Sequence, residues 1–411
     1  MRSSFWHHGR CLGVAAAVAA WLGGGCSGRT PGGEQRDPAP GSSAQAVLAR
    51  PVDPAKVAAG QAAFVKYCAL CHGPEAKGYA ADNAPSLVTE TFLATASDAF
   101  LRFSIKEGRP NTAMAGYAKS LGGPLTDGDV DAIIAWLRTH GPAPVDLPVV
   151  PTGGHEGQGA KLYEQSCQQC HGTRDTRVNA VHLANPNFLA AASDEFLRYA
   201  ISRGRPGTPM VAFSQAHGGT LSEAQIDDLV IFLRSWATPP LPRPAPPTET
   251  YDGPIIINPK GPQAQFKLRE DRFVPADDVK KALDAKKRIV IIDARAPSDW
   301  ALSRIPGAVP GPYYQLDKLA NLPKDDTWII AYCACPHHAS GAVVDELRRR
   351  GFKHTAILDE GILEWKRRGY PTEGTEPPKP AASSSAAPVG SLTPATSAPA
   401  PHFRMPPPPP H

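Results

Sequence analysis

Apolar residues recur at helical spacing in two separate stretches of the chain. Val130, Ile133, Ile134 and Leu137 follow Thr126-Asp127-Gly128-Asp129, and Ile226, Leu229, Val230 and Leu233 follow Ser222-Glu223-Ala224-Gln225. The i, i+3, i+4, i+7 pattern predicts one buried stripe on each helix. Thr126 and Ser222 read as N-caps, and Ser222 with Gln225 fits a capping box. Further along, the pattern changes. Residues 288–292 and 327–331 are apolar runs of strand length, and residues 343–350 are helical and stop at Gly351, a good C-cap. This alternation predicts a parallel α/β sheet. Near the N-terminus, Arg2 and Arg10 precede an apolar run over residues 11–22. The run is short for a transmembrane helix and reads as a secretory signal.

The two helical stretches close two copies of a longer pattern. The first copy runs from Gly60 and Phe64 through Cys68-Ala-Leu-Cys71-His72, Ala96-Ser97-Asp98-Ala99-Phe100-Leu101-Arg102 and Gly108-Arg109-Pro110-Asn111-Thr112-Ala113-Met114. The second has Gly159, Tyr163, Cys167-Gln-Gln-Cys170-His171, Ala192-Ser193-Asp194-Glu195-Phe196-Leu197-Arg198 and Gly204-Arg205-Pro206-Gly207-Thr208-Pro209-Met210. Two copies argue for two small domains, since a solenoid needs at least three stacked repeats. Gly60 and Gly159 stand one helical turn before an aromatic residue, which suits a close helix crossing.

The CxxCH boxes carry the chemistry. Two thiols at this spacing add to the vinyl groups of a haem, and the adjacent histidine binds its iron. Cys68, Cys71, Cys167 and Cys170 are therefore expected to form thioethers to two covalent c-type haems, with His72 and His171 as axial ligands. Met114 and Met210, two of only four methionines, hold matching places and are the candidate sixth ligands. A thioether favours ferrous iron and closes it to exogenous ligands, which suits electron transfer. Ordinary core packing is the alternative reading for both methionines. His155, His182 and His217 read as surface or satisfied residues, with His182 or His217 as the fallback to Met210.

On these motifs each copy resembles a class I cytochrome c domain, over residues 51–142 and 152–238. The resemblance implies a terminal helix pair packed around an apolar haem pocket. It also implies a proline after CxxCH whose carbonyl receives the proximal histidine's ring N–H. Pro85 fits that role in the first copy. Val181 takes the place in the second, where its carbonyl can make the same bond, so the two haems are expected to differ in potential.

Of eight cysteines, four are assigned to haem, Cys11 lies in the signal and Cys26 follows Gly24-Gly25. That last segment resembles a bacterial lipoprotein cleavage box, with Leu22 one place earlier than the usual pattern. Cys26 is the candidate lipid anchor, and a soluble periplasmic protein is the alternative. Only Cys333 and Cys335 remain, so no distant pair is left for a structural disulfide.

The α/β segment carries Asp293-Ala294-Arg295, Ile305-Pro306-Gly307-Ala308, Tyr332-Cys333 and Gly361-Ile-Leu-Glu-Trp365, followed by Gly369-Tyr370-Pro371. On these motifs it resembles a rhodanese domain over roughly residues 264–373. The resemblance implies a persulfide on Cys333, cradled by N–H groups at a helix N-terminus. The loop departs from the family pattern. It reads Cys333-Ala-Cys335-Pro336-His337-His338-Ala339-Ser340, has no arginine, and loses one donor at Pro336. Arg304 replaces the usual histidine before Ile305. His337 and His338 can lend positive charge to a thiolate, and Cys335 can resolve a persulfide. A degenerate fold kept for binding is the rival reading, and a metal site of Cys333, Cys335, His337 and His338 a weaker one.

The expected architecture is multidomain: two all-α cytochrome c domains, then an α/β rhodanese-like domain with a parallel sheet. A signal peptide (1–26), a tether (27–50), a Pro-rich linker (239–263) and a Pro/Ala/Ser-rich tail (374–411) complete it. The formal charge of +4 gives no case for a nucleic-acid partner. The expected function is single-electron transfer in the periplasm between redox partner proteins, on a membrane-anchored lipoprotein. It is joined to oxidation of a small sulfur-compound donor at Cys333. The rivals are an electron shuttle with an inactive docking module, a sulfurtransferase enzyme with redox-sensing haems, and a dihaem peroxidase with an open iron.

Overall fold

In the computed structural model of the chain, residues 53–149, 153–240, 251–315, 317, 321–334 and 337–375 are described. All belong to one compact unit, Pro51–His411. Cys26, the signal, the tether, Cys335, residues 241–250 of the linker and residues 376–411 lie outside the described residues.

The repeat appears as two sets of five helices. The first is α1 (Pro54–Tyr67), α2 (Ala69–His72), α3 (Glu90–Leu93), α4 (Asp98–Glu107) and α5 (Asp127–Arg138). The second is α6 (Glu156–Ser166), α7 (Gln168–His171), α8 (Pro186–Ala191), α9 (Asp194–Arg203) and α10 (Glu223–Ser235). The first helix of each set crosses the last at its glycine. A methyl group on Gly60 would overlap the Ala132 carbonyl, and one on Gly159 the Asp228 carbonyl. The predicted stripes on α5 and α10 are buried throughout. Ser222 and Gln225 form the expected capping box, and Thr126 forms a second one with Asp129.

The C-terminal domain alternates strand and helix: β1 (Phe273–Val274), α11 (Ala276–Asp284), β2 (Ile289–Asp293), α12 (Pro297–Leu302), β3 (Val309–Pro310), β4 (Trp328–Tyr332), α13 (His338–Arg349), β5 (Thr355–Leu358) and α14 (Gly361–Arg367). The strands form one parallel sheet in the order β1-β5-β4-β2-β3. Helix α13 starts earlier than the apolar pattern suggested, because Ala339 and Ser340 are small and bury their faces in the first turn. Part of the stretch read as linker joins this domain: Ile257 bridges to Ile289, and Gln263 to Arg288. Proline-rich composition concealed that contact, since isolated bridges need no strand-length apolar run.

The third domain packs against the first repeat. Tyr313 donates its hydroxyl to the Tyr67 carbonyl at 2.7 Å, and Ser298 Oγ to the Gly116 carbonyl at 3.0 Å. Lys366 Nζ reaches Asn111 Oδ1 at 2.7 Å. Rings of Tyr67 and Tyr117 meet Tyr314, with centroids 5.3 and 6.3 Å apart. Ala115, between the contact residues Ala113 and Gly116, is 5% exposed, whereas Val211 at the matching place of the second copy is 62% exposed.

Candidate functional site: two haem cradles and a buried thiol

Each CxxCH forms one short helix whose geometry is set by its cysteines. Cys68 ends α1 and opens α2, and Cys167 does the same between α6 and α7. The N–H of His72 donates to the Cys68 carbonyl at 3.0 Å, and that of His171 to Cys167 at 3.0 Å. The second carbonyl is also used alike: Cys71 O accepts from Ala80 and Ala81, and Cys170 O from Asn179 and Ala180. Both cysteines of a pair are thus held by backbone bonds on a single turn.

The proximal histidines are oriented as the sequence suggested. His72 Nδ1–H donates to the Pro85 carbonyl at 2.9 Å, and His171 Nδ1–H to the Val181 carbonyl at 2.8 Å. Pinning the proton on Nδ1 leaves the Nε2 lone pair for iron. Burial pushes both imidazoles below their ordinary pKa, only partly offset by these bonds, and so favours the neutral, ligating form. Proline is dispensable because the acceptor is a main-chain carbonyl.

The methionine loops are also built alike. Arg109 N–H donates to the Met114 carbonyl at 2.6 Å, Thr112 Oγ1 to the Arg109 carbonyl at 2.7 Å, and Met114 N–H to Thr112 Oγ1 at 3.1 Å. In the second copy the same bonds measure 2.8, 2.7 and 3.2 Å around Arg205, Thr208 and Met210. Both methionines are half-buried. His217 is exposed, and His182 donates toward the Thr173 and Arg174 carbonyls.

These residues fit a covalent haem. Each copy offers a neutral imidazole, a thioether and two thiols on one turn. Burial pushes the Cys68 thiol up to about 12 and Cys167 to about 11, which penalises a thiolate. A thioether bond carries no charge and bears no such penalty.

Cys333 follows β4 at the carboxyl end of the sheet and is 2% exposed. Its Sγ lies 3.3 Å from Ser340 Oγ on α13, a partner the sequence reading did not single out. The Cys333 carbonyl accepts from Ile362 N–H at 3.0 Å. Gly361, at φ +68°, would place a Cβ 2.6 Å from that carbonyl, so the turn requires glycine. His337, also at positive φ, donates Nε2–H toward the Asp359 carbonyl and carboxylate at 2.8 and 2.9 Å. Its ring packs at a tilt against Phe273, with centroids 4.2 Å apart, and is tied to Asp359, which also receives Arg269. Among the described residues no group of three or more His, Cys, Asp or Glu is placed to hold a metal.

Behind Cys333, Tyr332 donates its hydroxyl to Asp293 Oδ2 at 2.7 Å, and Arg295 grips the same carboxylate from Nε and Nη2. Burial alone would lower the Arg295 pKa; the adjacent carboxylate outweighs it and holds the guanidinium charged. The Asp293-Ala294-Arg295 motif therefore locks β2 to β4 and fixes the strand end that carries the thiol.

The same domain touches the first haem cradle. Leu70, inside the first CxxCH, and Ala113, beside Met114, pack against the apolar cluster that contains Cys333. The matching residues of the second copy are Gln169 and Pro209, both exposed. Tyr67, Tyr117, Tyr313 and Tyr314 were not singled out from sequence. The one signal was a mismatch between copies, with Tyr67 and Tyr117 standing where the second copy has Ser166 and Phe213.

Comparison with known proteins agrees with this division. The family model described as cytochrome c oxidase, cbb3-type, subunit III matches residues 55–137 and 156–233, and the rhodanese-like domain model matches residues 275–368. The cbb3-type cytochrome c oxidase subunit CcoP of Azospirillum sp. (strain B510) is 26% identical over 199 residues, 44% of this chain and 62% of that protein. Subunit FixP of Bradyrhizobium sp. (strain ORS 278) is 26% identical over 190 residues, 43% of this chain and 60% of that protein. This chain thus spans less than two thirds of the length of either relative. The solution structure of a rhodanese-like domain from Anabaena sp. is 30% identical, covering 31% of this chain and 98% of that one, with a TM-score of 0.25. The chain carries cytochrome c domains of the cbb3-type subunit III kind, which imply covalently bound haem c, followed by a rhodanese-like domain.

Proposed function

We propose that this chain is a dihaem electron carrier of the periplasm, anchored by lipid at Cys26, whose rhodanese-like domain delivers oxidisable sulfur at Cys333. The domains would be laid out as 51–142, 152–238 and 264–373. Cys68, Cys71, His72 and Met114 would hold one haem, and Cys167, Cys170, His171 and Met210 the other. When bound, haem c supplies reversible one-electron chemistry between ferric and ferrous iron. The chain's own residues keep each imidazole neutral and aimed through Pro85 and Val181, and shape the methionine loops through Thr112 and Thr208. Among the described residues no helix is long and apolar enough to cross a membrane.

The observation that carries the coupling is the packing of Leu70 and Ala113 on the cluster around Cys333. It sets the thiol's domain beside the first cradle. Cys333 would take sulfane sulfur from a donor such as thiosulfate, releasing sulfite, with Cys335 as the resolving thiol. Electrons from later oxidation of that sulfur would leave through the cytochrome c domains to a redox partner protein. The burial of Cys333 favours the second reading, a docking module without sulfur chemistry.

The test is optical haem reduction when oxidised holoprotein meets thiosulfate, polysulfide or sulfide, beside Cys333→Ser and Cys335→Ser. Coupling predicts fast reduction in the parent and its loss in Cys333→Ser. Equal rates in all three leave an electron carrier with a docking domain.

A further inference from the structure

Five arginines of the cytochrome c region face a carboxylate. Arg102 pairs with Asp131, Arg138 with Asp98, Arg177 with Asp82, Arg198 with Asp227 and Arg234 with Asp194. Arg109 and Arg205 do not. Arg109 donates to the Gly108 carbonyl at 3.1 Å and to Ser104 Oγ at 2.7 Å, and Arg205 to the Gly204 carbonyl at 3.4 Å. Neither has a carboxylate partner among the described residues. Both are half-buried at the boundary between the two helical domains. Arg109 lies over Phe100 of its own domain and Phe188 of the other, each at 5.7 Å. Arg205 lies over Phe196 of its own domain at 5.4 Å and Phe92 of the other at 5.9 Å. Phe100 and Phe196 stack between them, with centroids 4.8 Å apart.

Ring faces attract a guanidinium but do not neutralise it. A cation partly taken from water without an anion carries a cost, and this cost is met twice, at equivalent positions. Each arginine also anchors the loop that carries its methionine, through its N–H to the Met114 or Met210 carbonyl. A haem c brings the missing charge: its two carboxylates lie on the edge of the macrocycle opposite the vinyl carbons that the cysteines consume. Arginine suits a carboxylate better than lysine does, because its planar fork can bind both oxygens.

We infer that Arg109 and Arg205 are the seats of the haem carboxylates at the boundary between the two domains. We further infer that each, held by rings of both domains, makes the two haems' potentials interdependent. This rests on the two-haem reading above. A cation beside the macrocycle opposes the added charge of ferric iron, so its removal lowers the reduction potential.

The test uses full-length holoprotein, with Arg109→Leu, Arg205→Leu and the corresponding Arg→Lys variants. Covalent haem is counted by mass, and each haem's potential by optical redox titration, in buffers with and without inorganic phosphate. In variants retaining two haems, leucine should lower the potentials at least about tenfold in the one-electron equilibrium, roughly 59 mV. Both waves should move, the mutated domain's wave further, and lysine should restore most of the loss. Phosphate should leave the parent unchanged. Unaltered potentials in two-haem leucine variants would overturn the carboxylate seats, as would a parent whose potentials follow phosphate, which would make a free anion the occupant. A shift confined to one wave would overturn the interdependence. A parent without two covalent haems overturns this inference and the two-haem reading together, whereas two haems with unmoved potentials overturn only this one.

Discussion

Two glycines decide how closely the helices of each repeat approach. Gly60 presses on the Ala132 carbonyl and Gly159 on that of Asp228, so either methyl would force the helix pair apart. Gly60→Ala should cost about 1–3 kcal/mol, the range for overpacking a close contact, read as a lower denaturant midpoint by Soret circular dichroism. Gly157, on the same α6 helix, has open space at its Cβ, so Gly157→Ala should leave stability unchanged or slightly raised. At this scale much was legible. The glycine–aromatic spacing and the CxxCH boxes could be named because they repeat, and the carbonyl acceptors Pro85 and Val181 through the resemblance to class I cytochrome c domains. Ser340 could not. Its role depends on a loop returning to the end of β4, and a lone serine on a helix says nothing of the sulfur it faces.

Elements were legible where a pattern is long. The stripes on α5 and α10 and the buried runs of β2 and β4 follow from periodicity, while β1 and β3 are two residues each and too short to announce themselves. Helix α14 shows how a surface element gains pH dependence. Bonds from Arg367, then from Arg368, hold the Glu364 carboxyl at about 2, against an ordinary 4.5. A depressed carboxylate contributes stability that is complete above about pH 4.5 and lost as pH falls through about 2. The shift taken at face value would be worth about 3 kcal/mol. Solvent screening on this surface reduces it to about 1 kcal/mol. Urea unfolding at pH 5 and pH 3 should show the parent losing more stability than Glu364→Gln, the difference being most of that increment.

At the scale of the whole molecule, the third domain is fixed to the first repeat by bonds from side chains to main-chain carbonyls. Tyr313 and Ser298 donate to Tyr67 and Gly116, both in the first helical domain. Removing Tyr313 leaves a partly buried carbonyl without its donor, worth about 1–3 kcal/mol. In Tyr313→Ala the rhodanese-like domain should unfold as a separate, earlier step, seen as tryptophan fluorescence changing before the Soret signal. In the parent the two should change together. This contact was not foreseen, since sequence periodicity describes each domain's own core and not the face it turns to a neighbour. Its trace lay in the departures from the repeat, at Tyr67, Leu70, Ala113 and Tyr117.

Those departures give two copies of one unit different addresses. Ala115 is shut in, between residues held by the third domain, while Val211, its counterpart, stands open. A flank left open on the second unit is closed on the first. Symmetry made by duplication has thereby become a molecule with a front and a back.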